Sequence, residues 1–268
     1  MKTLVLANRK GGVGKSAIGC QFAYYLILLG YRVLFIDFDH QKNSTKSIIK
    51  SGKAVAANFT ATQLLAGEAT PLPDGRFVLV QGDDTLSNTE RQHEKHNNFV
   101  NALKIFLEDV AGQFDFCVMD TNPNPDIRYV AALVTSDFVL SPIQLNQEAI
   151  DGIGALLNHP RYGLRKIKAT LNPGLDLIGV LPNMVEPTPF QRSNFQQLAE
   201  SFSQLLIGLD GSKQRFAFIP KRSVIAEAQA DGSFLAEVKK TAGRDAWREI
   251  KPSFDIILQR IMNIKTEV

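Results

Sequence analysis

The stretch Lys10-Gly11-Gly12-Val13-Gly14-Lys15-Ser16 determines how this sequence is interpreted. It follows a short apolar run, Thr3 to Ala7, and overlaps a stretch from Gly14 to Leu29 with apolar residues at helical spacing. Glycines between a strand and a helix let successive backbone N–H groups point into one concavity, where they bind phosphate oxygens. Lys15 can reach the β- and γ-phosphates of a nucleotide, and the Ser16 hydroxyl can ligate Mg²⁺. The stretch therefore predicts a nucleotide-binding loop.

Apolar runs alternate with amphipathic stretches along the chain. The predicted strands are Thr3 to Ala7, Arg32 to Asp37, Phe77 to Val80, Phe116 to Met119, Phe138 to Leu140, Leu177 to Leu181 and Phe216 to Ile219. The predicted helices after the first are Asn97 to Val110, Ile127 to Thr135, Glu148 to Leu157, Gln191 to Leu206 and Asp245 to Met262. Strands that alternate with helices build a parallel sheet with both faces covered. We therefore expect an α/β fold with a mostly parallel, twisted sheet and helices on both faces.

The composition fits one globular unit. The chain has 268 residues, 44% of them hydrophobic, and its net charge of +3 permits an acidic partner without requiring one. It has no apolar run of about 18 residues, and its opening apolar run is too short for a signal peptide, so we expect a cytoplasmic protein. The first strand begins at residue 3, which leaves no room for a preceding DNA-reading domain. We expect a single domain over residues 1–268, with Cys20 and Cys117 as buried thiols.

The phosphate loop differs from the common P-loop in two positions. Arg9 stands where the first glycine usually lies, and Lys10 precedes the glycine pair. The pattern resembles the deviant Walker A motif of the ParA/MinD family of P-loop ATPases. The resemblance implies ATP binding, and a homodimer in which Lys10 crosses the interface to the partner's nucleotide. Ala17 replaces a second hydroxyl residue of the family, which removes one donor worth about 1 kcal/mol.

The end of the second predicted strand carries a further similarity. Residues Asp37 to Thr45 resemble the family pattern Asp-x-Asp-Pro-Gln-x-Asn-x-Thr. The resemblance implies that Asp39 helps to hold the attacking water and joins Lys10 and Lys15 as a catalytic residue. A carboxylate can do this without being a strong base, because positioning and electrostatics dominate phosphoryl transfer. His40 replaces the family's proline, so we expect this loop to differ from that of its relatives.

Three other segments extend the resemblance. Four apolar residues before Asp120 form a Walker B pattern, which implies that Ser16, Asp37 and Asp120 lie at or near the Mg²⁺ ion. Asn122 stands at a position where the family has a proline. The strand that ends at Asn183 looks like the one whose asparagine contacts adenine, and Pro220 belongs to a motif that flanks the base. The implied ATP-binding residues are Lys10, Gly11, Gly12, Val13, Gly14, Lys15, Ser16, Ala17, Asn183 and Pro220.

Within the family, the first interpretation is a ParA-type DNA-partition ATPase. It implies an ATP-bound dimer that associates with the nucleoid, binds DNA without sequence preference, and is released when a cargo-bound adaptor protein stimulates slow hydrolysis. The candidate DNA contacts are Arg192, Arg215, Lys221, Arg222, Lys239, Lys240 and Arg244.

Other roles remain open on the sequence alone. A MinD-like membrane ATPase would need a basic amphipathic C-terminal helix, but the apolar stripe from Trp247 to Ile261 fits core packing better. A ParA-like ATPase that positions a cargo other than DNA is a further alternative. An iron–sulfur carrier is disfavoured because the cysteines are not paired, whereas a small-molecule kinase and a non-hydrolysing scaffold are not excluded.

Overall fold

The computed structural model describes residues 1–209 and 215–263. Its strands are β1 (Lys2–Leu6), β2 (Val33–Asp37), β3 (Val55–Thr60), β4 (Phe77–Gln81), β5 (Phe116–Asp120), β6 (Phe138–Gln144) and β7 (Asp176–Asn183). They form one seven-stranded sheet in the order β3-β4-β2-β5-β1-β6-β7. Every pairing is parallel. The predicted fold class is confirmed.

The α-helices connect successive strands or follow β7, and they cover the sheet. They are α1 (Lys15–Leu28), α2 (Asn43–Ser51), α3 (Ala61–Leu65), α4 (His96–Asp109), α5 (Ile127–Thr135), α6 (Gln147–Asn158), α7 (Leu164–Thr170), α8 (Pro189–Phe202), α9 (Ser223–Asp231) and α10 (Thr241–Asn263). Short 3₁₀ helices lie at Asp84–Arg91, His93–Lys95, Ser203–Leu205 and Leu235–Glu237.

The strands have two buried faces, and their side chains alternate between them. On β1, Val5 belongs to the core that packs under α3 to α8, whereas Leu4 and Leu6 belong to the core under α1, α2, α9 and α10. On β2, Ile36 and Phe35 divide in the same way. Burial on both faces explains why these strands are continuous apolar runs in the sequence.

One predicted strand is wrong and one strand was missed. Phe216 to Ile219 is extended but forms no strand, because its N–H groups donate to separate places: Ala217 to Ile207 O, Phe218 to the Ser253 hydroxyl and Ile219 to Pro182 O. The missed strand, β3, lies at the sheet edge and carries Ala, Asn and Thr among its apolar residues, so no continuous apolar run marks it.

The sequence pattern also missed four helices, α2, α3, α7 and α9. Each has nine residues or fewer and so offers few apolar positions at helical spacing, although the equally short α5 was predicted from its denser apolar residues. The longest helix, α10, buries the predicted apolar stripe, including Ile250, Phe254 and Ile257, so core packing is confirmed. Cys20 and Cys117 are buried, as expected.

No helix in the described ranges, 1–209 and 215–263, is both long and apolar enough to cross a membrane. The carboxyl ends of all seven parallel strands lie at the same edge of the sheet, where α/β proteins of this type bind their ligands.

Candidate functional site

A cavity of about 890 Å³ opens at this edge of the sheet. It is bordered by α9 and α10 on its apolar side and by the phosphate loop on its polar side. The predicted site residues that line it are Gly11, Gly12, Val13, Gly14, Lys15, Ser16, Ala17, Asp39, Asn183 and Pro220. Lys10, Asp37 and Asp120 do not line it; their surroundings are described below.

The backbone of the loop depends on two glycines in left-handed conformations. Gly12 has a φ of 73° and Gly14 a φ of 90°, and residues other than glycine rarely adopt these values. A Cβ atom on Gly14 would also lie 2.1 Å from Nδ2 of Asn183. The sequence therefore needs glycine at position 14 for both backbone conformation and space.

Three amide side chains hold the loop in place. Asn183 donates from Nδ2 to Val13 O at 2.7 Å, and Gln144 donates from Nε2 to Gly12 O at 3.2 Å. Asn8 accepts from the Lys10 N–H at 2.8 Å through Oδ1. Asn8 and Gln144 were missed in the sequence, where the only signal is a polar residue at or just past a strand end. Asn183 supports the loop in this structure, and its contact with adenine stays a prediction.

Lys15 is almost fully buried within the loop, with 7% of its surface exposed. Its amino group donates to Asn8 O at 3.1 Å and to Lys10 O at 3.4 Å. Burial lowers the pKa of Lys15, while the nearby Asp120 and Asp39 oppose that shift. The loop thus holds a poorly hydrated cation at its centre, which an anionic ligand would stabilise.

The second lysine of the loop, Lys10, points toward the start of α6. Its Nζ lies 2.6 Å from Oε2 of Glu148 and 3.3 Å from Oδ1 of Asn146. The Lys10 side chain is 33% exposed and Glu148 is 83% exposed, so solvent reaches this ion pair. An exposed pair of this kind contributes about 0–1 kcal/mol and can be broken at little cost.

Asp39 lies on the cavity wall and is mostly buried. Its Oδ1 accepts from the N–H of Gln41 at 3.0 Å, and its own N–H donates to Oδ1 of Asp37 at 3.0 Å. These contacts fix the turn after β2, which places the Asp39 carboxyl at the cavity.

Asp120 ends β5 and is completely buried beside the loop. Its Oδ2 accepts from the Ser44 hydroxyl at 2.7 Å, and Oδ1 has no hydrogen-bond partner within the described part of the chain. Burial raises the pKa of Asp120, while the nearby Ser16 hydroxyl, the hydrogen bond from Ser44 and the charge of Lys15 oppose that shift. A buried carboxylate oxygen without a partner, next to a serine hydroxyl, fits the oxygen ligands that Mg²⁺ prefers.

Asp37 differs from Asp120 because both its oxygens accept hydrogen bonds from the protein. Oδ1 accepts from the Asp39 N–H, and Oδ2 accepts from the Thr45 N–H at 2.8 Å and the Thr45 hydroxyl at 2.7 Å. Burial, and then the neighbouring Asp120, raise the pKa of Asp37. In this structure Asp37 anchors the first turn of α2. Because both of its oxygens already accept hydrogen bonds, Asp37 fits a supporting position near Mg²⁺ and not a direct ligand.

Two departures from the family pattern, His40 and Asn122, are connected to each other. Asn122 donates from Nδ2 to Oδ2 of Asp126 at 2.8 Å, and Asp126 forms a buried ion pair with Arg128. Arg128 in turn donates from Nη1 to Nδ1 of His40 at 3.2 Å. Asp126 also caps α5 by accepting from the Arg128 N–H at 3.0 Å. The loop after β2 and the loop after β5 are thus linked through one buried guanidinium.

The predicted DNA contacts do not share one environment. All seven are exposed: Arg192, Arg215, Lys221, Arg222, Lys239, Lys240 and Arg244. However, Lys221 and Arg222 border the cavity and are paired, Lys221 with Glu186 at 3.1 Å and Arg222 with Glu249 at 2.6 Å. Arg192 lies on α8, whereas Lys239, Lys240 and Arg244 lie together around the start of α10.

The sequence is also similar to those of known proteins. The sequence profile of a family described as an AAA domain matches residues 1–177. The chain is 29% identical to protein IncC of Escherichia coli, over 97% of this chain and 70% of IncC. It is 31% identical to the chromosome-partitioning ATPase Soj of Thermus thermophilus, over 93% of this chain and 94% of Soj.

Among solved structures, the fold is similar to that of a McdA variant from Cyanothece in complex with ATP. The TM-score is 0.76 at 22% identity, and the superposition covers 100% of this chain and 98% of McdA. At this level of identity the similarity shows the shared fold.

Proposed function

Because this chain belongs to the ParA/MinD family of partition-type ATPases, we propose that it is a DNA-partition ATPase that works as an ATP-bound homodimer. One observation carries the proposal: Lys10 and Lys15 flank a glycine loop at the mouth of a cavity that also holds Asp39. A phosphate loop alone would indicate only nucleotide binding. The additional lysine and the carboxylate extend the proposal to dimerisation and hydrolysis.

The nucleotide is proposed to place its phosphates on the loop from Gly11 to Ser16 and its base between α9 and α10. Gly12 and Gly14 leave the loop N–H groups free to face an anion, and Lys15 supplies the charge. Pro220 and the apolar cavity wall near Ile250 and Phe254 provide a surface for a flat base. Ala17 supplies its backbone alone to this site.

Mg²⁺ is proposed to bind between Ser16 and Asp120, with Asp37 in support. The unpartnered Oδ1 of Asp120 is the observation that favours this place. A bound Mg²⁺ supplies charge neutralisation for the phosphate oxygens. Asp37 contributes by holding Thr45, whose helix also carries the Ser44 hydroxyl that contacts Asp120.

Dimerisation is proposed to redirect Lys10. In the single chain Lys10 pairs with Glu148, and the partner's nucleotide phosphates would offer it a stronger, less exposed anion. Its exposure of 33% leaves the lysine accessible to a second subunit. Hydrolysis then depends on Asp39, whose position on the cavity wall suits a group that orients water.

DNA binding is proposed to use exposed lysines and arginines on phosphates without sequence preference. Lys239, Lys240 and Arg244 group around the start of α10, so we assign the largest share of DNA binding to this part of the surface. Arg192 and Arg215 remain candidates. Because Lys221 and Arg222 are paired at the cavity rim, we assign them a weaker share of DNA binding.

A cargo-bound adaptor protein is proposed to stimulate slow hydrolysis and release the dimer from the nucleoid, within the cytoplasm. The same ATPase unit, taken as residues 1–268, could position a cargo other than DNA. Retention on DNA tests the nucleoid-binding part of the proposal, whereas the cargo carried by the adaptor decides between these two roles.

The test is an electrophoretic shift of nonspecific duplex DNA by the full chain. We expect a shift with ATP and Mg²⁺, none with ADP, and a steep loss of binding as salt increases. A variant with Lys239→Ala, Lys240→Ala and Arg244→Ala should lose the shift but retain ATP binding. Its matched control replaces three exposed basic residues outside the candidate surface by alanine: Lys104, Arg161 and Lys166. Binding that needs no ATP, or that ignores salt, would contradict the proposal.

A further inference from the structure

We propose that Glu90, His93 and His96 form a second metal site, which binds a late first-row divalent cation such as Zn²⁺ or Ni²⁺. One ligand atom from each residue lies within 4.8 Å of the ligand atoms of the other two. None of the three residues lines the nucleotide cavity, so the site is separate from the one proposed for Mg²⁺.

The backbone explains why these residues meet. They are spaced three apart, in the segment Glu90-Arg91-Gln92-His93-Glu94-Lys95-His96. Glu90 lies in the 3₁₀ helix Asp84–Arg91, His93 begins the 3₁₀ helix His93–Lys95, and His96 begins α4. The 3₁₀ turn that begins at His93 has His96 as its C-cap, which places these two side chains on one face, and the break at Gln92 brings Glu90 beside them. The backbone conformation thus brings these three residues into one cluster of potential ligands.

The ligand types select the class of cation. Imidazole nitrogens favour zinc, nickel, copper and cobalt, whereas Mg²⁺ and Ca²⁺ favour oxygen ligands only. Ligand nitrogens around a tetrahedral Zn²⁺ are about 3.4 Å apart. His93 is exposed and Glu90 is 38% exposed, so rotation of these side chains can close the cluster around an ion. Three protein ligands leave at least one position for water.

Two contacts already orient the ligands. Glu90 accepts from the N–H of Ile127 at 2.7 Å through Oε2, and Nε2 of His96 lies 3.1 Å from the Glu90 backbone oxygen. The contact from Ile127 fixes the direction of the Glu90 carboxylate, as outer contacts commonly do, whereas His96 must give up its Nε2 contact to bind the ion through that atom or bind it through Nδ1. Because Ile127 is the first residue of α5, an ion bound to Glu90 would also secure the start of that helix.

The experiment measures Zn²⁺ binding to the nucleotide-free full chain by competition with a chromogenic chelator, together with the absorption spectrum of bound Co²⁺. We expect one Zn²⁺ per chain that excess Mg²⁺ does not displace, a Co²⁺ spectrum typical of nitrogen ligation, and a higher Tm with Zn²⁺. His93→Ala and His96→Ala should each weaken Zn²⁺ binding at least about tenfold. The matched control is His159→Gln, which removes a histidine from a loop after α6 and should retain wild-type binding.

His93→Ala is the deciding variant because His93 is exposed, whereas His96 also contacts Phe99 and its loss could affect folding. Circular dichroism without metal checks that each variant is folded. Wild-type Zn²⁺ affinity in His93→Ala, displacement of Zn²⁺ by Mg²⁺, or a wild-type chain that binds no Zn²⁺ would each overturn the proposal.

Discussion

Nη1 of Arg128 lies 3.2 Å from Nδ1 of His40, and the same guanidinium is paired with Asp126 in the interior. This contact joins the turn after β2, which carries Asp39, to the N-terminus of α5, which follows the loop after β5. Both loops contribute residues to the wall of the nucleotide cavity, and Arg128 is a direct contact between them.

Replacing Arg128 should destabilise the protein strongly. Arg128→Met leaves the Asp126 carboxylate buried without its cation, and breaking one side of a buried pair costs about 3–5 kcal/mol. Urea unfolding of the variant and the wild type measures the difference. Arg165→Met is the control, since Arg165 is exposed and donates to Asn158, and it should change stability by about 0.5 kcal/mol or less. Equal effects of the two substitutions would contradict the role of Arg128.

Removing the His40 imidazole should affect turnover more than binding. His40→Ala frees the Asp39 turn from α5, and loss of one hydrogen bond worth about 1 kcal/mol corresponds to roughly a fivefold slower turnover. Phosphate release under saturating ATP measures the rate, and equilibrium titration measures the affinity. His159→Ala serves as the control. A lower ATP affinity with an unchanged rate would show that His40 acts on binding instead.

Lys15→Ala should abolish ATP binding. The substitution removes the buried cation from the centre of the loop, where each charge-assisted hydrogen bond is worth about 1.5–3 kcal/mol. Calorimetric titration with ATP and Mg²⁺ should therefore show an affinity at least about a hundredfold weaker. Lys50→Ala, an exposed lysine of α2 paired with Asp231, should titrate like the wild type. An ATP affinity in Lys15→Ala equal to that of the wild type would remove Lys15 from the site.

Lys10→Ala should retain ATP binding and lose ATP-driven dimerisation. Lys10 does not line the nucleotide cavity of its own chain, so its loss leaves that chain's nucleotide site intact. Sedimentation velocity with and without ATP measures the assembly. Glu148→Gln is the informative companion, because it frees Lys10 from its ion pair and should dimerise at least as well as the wild type. An ATP-dependent dimer in Lys10→Ala would contradict the proposed interface.

Asp39→Ala should trap an ATP-bound dimer. The carboxyl lies on the cavity wall, and its removal takes away the group proposed to orient water while the phosphate loop stays in place. ATP should still drive dimerisation in the sedimentation assay, but phosphate release should fall to background. Asp84→Ala, an exposed acid paired with Lys42, is the control. Turnover at the wild-type rate in Asp39→Ala would exclude Asp39 from catalysis.

The sequence is most informative where one residue type serves one purpose. Apolar runs identify β1, β2 and β5 because both faces of these strands are buried, and the glycines mark the loop because only they adopt its backbone. The supports of the loop are different. An amide such as Gln144 resembles any other polar residue until its partner, Gly12, is known. The Glu90 cluster was missed for a related reason, since its three residues meet only where two short 3₁₀ helices lead into α4.

The hydrogen bond from Asn183 to Val13 O ties the phosphate loop to the last strand of the sheet. The family profile ends at residue 177, before Asn183, so the matched portion contains the Walker motifs without one of the three amides that hold the loop. A fragment cut at that boundary would retain the motif residues and lose the neighbour against which Gly14 packs. The last strand of the sheet, which lies mostly beyond the matched portion, therefore contributes to the shape of the loop that binds the phosphates.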